Sequence, residues 1–124
     1  MPRSITRAGL LLISLSLAVA TSATQAAAQS PAIHVGSDTR AKSQATCMTD
    51  AKFAIGETGL QVSFTDGLHT GGSGSLAGAD VAVLVTCLSL GPRTFIEVVG
   101  TSLNSGAAGE ARNRVRSLVM GPAD

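Results

Sequence analysis

Aromatic rings are almost missing from this chain of 124 residues: Phe53, Phe64 and Phe95 are all it has, with neither tryptophan nor tyrosine. Single-stranded nucleic acids are held on stacking platforms of such rings, and sugar sites commonly use them too, so both ligand classes lose ground. Charge is sparse as well, at 14% of residues with a formal net charge of +1. That is too weak a field to steer a polyanion, and no nucleic-acid partner is expected. Histidine occurs twice, as His34 and His69, and cysteine twice, as Cys47 and Cys87. Neither histidine stands at ligand spacing from a cysteine and there is no C-x-x-C motif, so neither a metal nor a redox centre is expected.

What the chain does have begins with a basic, then greasy, then small-residue N-terminus. Arg3 and Arg7 precede an apolar stretch from Ala8 to about Ala20, and Ala26, Ala27 and Ala28 close the segment. This order is that of a secretory signal peptide. The apolar stretch falls short of the roughly 20 residues that span a bilayer. There is no twin arginine, and no cysteine follows the small residues to carry a lipid. Residues 1–28 are therefore expected to leave as a signal peptide, with 29–124 as a single small exported domain, periplasmic or secreted, and without a membrane span. Removing Arg3 and Arg7 leaves seven basic against eight acidic residues, a formal charge of −1.

Along the mature part, Ile33 to Val35 reads as a short strand, with Ser37, Asp38 and Thr39 as capping candidates for a following helix. In that helix Cys47, Ala51, Ala54 and Ile55 recur on one face, which turns Cys47 toward the core, and Phe53 falls at its edge. Gly59 is placed to end the helix in a left-handed cap. Leu60, Val62 and Phe64 alternate with Gln61, Ser63 and Thr65, the pattern of a half-buried strand with Leu60, Val62 and Phe64 inward. The glycine-rich Thr70 to Gly78 reads as a long mobile loop. Val81 to about Leu88 and Arg93 to Gly100 read as a hairpin turned at Gly91 and Pro92. Because Glu97 belongs in water, Thr94, Ile96 and Val98 are sent inward. A last helix carries Ala108, Ala111, Val115, Leu118 and Val119 on its apolar face, is capped by Asn104 or Ser105, and stops at Gly121 and Pro122. The expected fold is α+β: a two-layer sandwich in the order β-α-β-β-β-α, with a mostly antiparallel sheet of three to four strands and two helices on one face.

Cys47 on the inward helix face and Cys87 on the strand face shared with Val83 and Val85 are placed to meet across the helix–sheet interface. Export would let them oxidise to one structural disulfide, whereas two buried free thiols are the alternative if the chain stays in a reducing compartment. The pattern S-D-T-R-A-K, C-M-T-D-A, T-G-L, a glycine-rich stretch, A-V-L-V-T-C and F-I-E-V-V-G followed by A-A-G-E-A-R resembles a group of small exported bacterial proteins of uncharacterised function. That resemblance implies a paired Cys47 and Cys87 and supplies no catalytic residue.

Several motifs bear on chemistry. Gly72 to Ala77 fits G-x-G-x-x-[GA], but a strand rather than a helix follows it and the chain has no room for a Rossmann domain. The stretch also lacks a P-loop lysine, so no nucleotide cofactor is expected. His69, with Asp66, Asp80, Ser73 and Ser75 nearby in sequence, offers pieces of a hydrolase site, although a flexible loop is a poor frame for one. Arg112 and Arg116 are expected on the water side of the last helix, with Arg114 pointing elsewhere. Leu84, Leu88, Phe95 and Val99 project from the sheet face away from the helices, an apolar patch of the sort that marks a homodimer or protein-partner interface. The expected function is a non-enzymatic module, stabilised by one disulfide, that binds a protein or a small ligand, with a small periplasmic or secreted hydrolase using His69 and the glycine-rich loop as the alternative.

Overall fold

A computed structural model describes residues 29–122. The expected signal peptide lies outside the described residues. The elements run β1 (Ala32–Arg40), α1 (Gln44–Glu57), β2 (Gln61–Thr65), β3 (His69–Leu76), β4 (Ala79–Ser89), β5 (Thr94–Ser102) and α2 (Ser105–Met120). One five-stranded sheet has the order β1-β5-β4-β3-β2 with every pair antiparallel. The class is α+β as the sequence predicts, with five strands in place of three to four.

The strand that the sequence hides is β3. Thr70 to Gly78 is no mobile loop: His69 to Leu76 pairs residue by residue with β4 from His69↔Thr86 to Leu76↔Ala79. Its glycines answer a packing demand. A Cβ on Gly72 would stand 2.4 Å from Ile55 Cγ2, and one on Gly74 would stand 3.1 Å from Leu60 Cδ2, so bare backbone lets those side chains close on the sheet. Ala77 (φ 52°) and Gly78 (φ 75°) then form a two-residue turn with both dihedrals positive, the turn whose twist matches a hairpin.

The first strand is also longer than Ile33 to Val35, continuing through Gly36 to Arg40 along β5. Ser37, Asp38 and Thr39 are strand residues. The helix cap falls to Ser43, whose side chain accepts the Thr46 N–H at 3.1 Å. Asn104 caps α2 by accepting the Ala107 N–H at 2.9 Å. Gly59 takes the left-handed conformation after α1, at φ +84°.

Period-two alternation along β4 and β5 splits the sheet cleanly. Val81, Val83, Val85 and Cys87 on β4, and Ile96 and Val98 on β5, are buried. Against them pack Cys47, Ala51, Ala54 and Ile55 of α1 and Ala107, Ala111, Val115 and Val119 of α2. Leu118, expected among these, is 42% exposed. It lies one residue short of Val119 on the helical wheel, past the edge of the covered stripe. Buried Thr94 satisfies its hydroxyl by donating to the Lys42 carbonyl at 2.6 Å.

Cys47 and Cys87 form a disulfide, with Cα atoms 6.0 Å apart and both residues fully buried. It ties the first turn of α1 to the far end of β4 at the centre of the core. Among the described residues no helix is long and apolar enough to cross a membrane.

Candidate functional site

The uncovered face of the sheet is built from the other half of the alternation. β4 contributes Ala82, Leu84, Thr86 and Leu88, and β5 contributes Phe95, Glu97, Val99 and Thr101, facing one another in register. β1 extends the surface with Ile33 (63% exposed) and Val35 (51% exposed), paired to Thr101 and Val99. Leu84, Leu88, Phe95 and Val99 thus lie on one surface, opposite the helices.

Phe64 joins them from an unexpected side. Strict alternation puts it inward with Leu60 and Val62, but the β2–β3 register shifts between Val62 and Phe64. One extra residue in a strand flips everything beyond it to the other face. Thr65 accordingly turns inward, where its hydroxyl bonds that of buried Thr70 at 2.9 Å. The Phe64 ring lies across Gly71, where a Cβ would stand 2.1 Å from ring Cε1. It forms one wall of an apolar cavity of about 240 Å³ that also touches Ala82, Leu84, Val99 and Thr101. The bulge leaves no mark in residue types; the signal that could have revealed this placement is Gly71, the one position opposite Leu84 without a side chain.

Both sheet edges are guarded. β2 is five residues long and bulged, a poor template for strand addition. On β1, the Val35 carbonyl accepts Arg112 Nη1 at 3.3 Å, and the Thr39 carbonyl accepts Arg93 Nη2 at 3.1 Å and Arg40 Nη1 at 3.0 Å. Arg112 and Arg116 therefore do not lie on the water side of α2. Gly36 opens a slot between helix and strand, with Arg116 Cδ 2.8 Å from where a Cβ would be, and both arginines lie half-buried in it. Their Nε atoms are buried and bond nothing among the described residues. Arg114 points outward and pairs with Glu110. The backbone N–H of Thr39 and the Arg40 guanidinium hold the Asp38 carboxyl below its usual range, with Arg116 adding its field.

His69 opens β3 and its Nδ1 stands 3.1 Å from both oxygens of Asp66. The Asp66 carboxylate also accepts the backbone N–H groups of Leu68 and His69, both at 2.7 Å. Those two bonds, then the imidazole, keep its carboxyl below the ordinary range. This closes the β2–β3 turn. Ser73 and Ser75 sit four and six residues along the same strand, roughly 14 and 20 Å from His69 at about 3.4 Å per residue. Asp80 lies at that far end too, paired with Ser75. The chain does not bring these residues together. Ser63 turns its hydroxyl to the Gly71 carbonyl at 3.2 Å. His34 contacts the Ser105 hydroxyl at 3.1 Å. Among the described residues no three His, Cys, Asp or Glu side chains gather where they could hold a metal ion.

The geometry thus offers one broad apolar surface. No protein-family model, curated protein or solved structure matches this chain.

Proposed function

We propose that this protein is an exported, non-enzymatic interaction domain that binds a protein partner through the open face of its sheet. The observation that carries the reading is the asymmetry of that sheet. Both helices cover one side, while Ile33, Val35, Phe64, Leu88 and their neighbours leave the other apolar and bare. A small soluble domain gains nothing by exposing such a surface unless something covers it. The buried disulfide suits an oxidising compartment, in keeping with a signal peptide at residues 1–28. The hydrolase alternative draws on the His69–Asp66 contact, but a base separated by several strand residues from Ser73 and Ser75 activates neither.

A photo-crosslinking side chain placed at Val99 tests the reading, with the same group at Lys52 on the exposed side of α1 as control. Crosslinked protein products are expected from Val99 and none from Lys52. Products from Lys52 alone would move the binding surface to the helix layer.

A further inference from the structure

The open face is patterned about its central strand in a way that fits a second copy of itself. β4 lies in the middle of the order β1-β5-β4-β3-β2. In the row through Thr86, Glu97 stands on one side and His69 on the other, since Glu97↔Thr86 and His69↔Thr86 are register pairs. One row along, Leu84 is flanked by Val99 and by Gly71, over which the Phe64 ring lies. A two-fold axis running along β4 and between two stacked sheets exchanges β5 of one copy with β3 of the other. It sets Leu84 against Leu84 and Leu88 against Leu88 on the axis, Val99 against the Phe64 ring, and Glu97 against His69, each lateral contact occurring twice.

An isologous interface needs this kind of self-complementarity. Glu97 and His69, in the middle of the face, are then matched, and Glu97 has no ion pair of its own among the described residues. His69 Nδ1 is held by Asp66, which leaves Nε2 to donate to the carboxylate of the other copy when the ring is an imidazolium. Stacked sheets lie about 10 Å apart, a distance that a glutamate and a histidine together span near the axis.

The area is adequate. Five strands at about 4.8 Å and strand lengths near nine residues give a face of roughly 600–700 Å². Standard stable interfaces bury about 600–1,000 Å² per partner, so the face reaches the lower end of that range. Strand addition at an edge is the competing way to dimerise, and both edges are closed by the short bulged β2 and by the arginines on the β1 carbonyls.

We infer that the partner of the open face is a second copy of this chain, packed sheet to sheet about a two-fold axis along β4. This rests on the reading of that face as the binding surface. The test is sedimentation equilibrium of the oxidised protein, with circular dichroism to confirm that each variant is folded. The native protein is expected to dimerise. Glu97→Lys alone, His69→Glu alone and Leu84→Lys alone should each weaken dimerisation tenfold or more. An equimolar mixture of the first two variants should form a heterodimer of near-native affinity, because the introduced lysine meets the introduced glutamate while the native pair survives at the other contact. Failure of that mixture to recover overturns the two-fold arrangement. A native protein that stays monomeric up to about 1 mM overturns the second copy as partner and leaves the open face to another protein. A dimer that withstands Leu84→Lys overturns both.

Discussion

Breaking the Cys47–Cys87 bond is the perturbation with the largest calculable effect. The bond closes a loop of 40 residues. In the chain-entropy account, removing that constraint from the unfolded ensemble costs about 4 kcal/mol. A domain of this size has about 5–15 kcal/mol in total, so much of its margin resides in one covalent contact. Both sulfurs are fully buried, and reductant acts on the native protein only when the core opens. The assay is therefore urea unfolding of protein refolded with and without dithiothreitol. With an m-value of about 1 kcal/mol per molar urea, the midpoint should fall by roughly 3–4 M. The melting temperature should drop by roughly 15–30 °C. Midpoints within about 0.5 M of one another, at equal m-values, would refute the reasoning. The unfolded chain would then already hold α1 against β4 without the bond.

Gly100→Ala should cost about 1–3 kcal/mol by overpacking, because the new Cβ would stand 2.4 Å from the Ala108 carbonyl, which is helix backbone and cannot step aside. Gly71→Ala, though its clash is closer, should cost well under half of that by thermal melting, since the half-exposed Phe64 ring can swing away. The same change should erase the wall of the apolar cavity and weaken association through the open face. Leu118→Lys should leave the denaturation midpoint within about 0.5 kcal/mol of native, whereas Ile96→Ala should lose about 2–5 kcal/mol. Asp38 and Asp66 both titrate below the ordinary 3.8. A carboxyl lowered in the folded state stabilises it above that value and loses the contribution as pH falls through the native pKa. Melting curves from about pH 6 down to pH 2 should therefore drop less steeply below about pH 4 for Asp38→Asn or Asp66→Asn than for the native protein.

The elements that could be read from sequence are those whose pattern is a matter of periodicity. Cys47, Ala51, Ala54 and Ile55 recur every turn, and Val81, Val83, Val85 and Cys87 alternate, so each announces its buried side and the sulfurs come together as expected. The face of Leu84, Leu88, Phe95 and Val99 follows from the same alternation. β3 fails this test because its stripe is made of Gly72 and Gly74, whose role is to be absent under Ile55 and Leu60. Glycine in such a strand is shaped by a neighbour distant in sequence, and local propensity points the other way. Phe64 fails for a related reason, since a bulge is a property of the pairing with Gly71 rather than of either residue. Arg112 and Arg116 read as solvent-facing because the slot that receives them is a missing side chain on another strand, at Gly36.

The position of β1 in the sheet bears on when this chain can fold. Its neighbour is β5 alone, with Ala32 paired to Ser102. Every residue from Ala32 onward must be delivered before that pair can close, and α2, which roofs it, comes later still. Contacts between such distant segments form late and slowly. The β3–β4–β5 meander can zip locally, yet the sheet stays one strand short and its core half-roofed until the last helix arrives. A chain ordered this way can close its sheet only once Ser102 has arrived, and can seal its core only when α2 has followed.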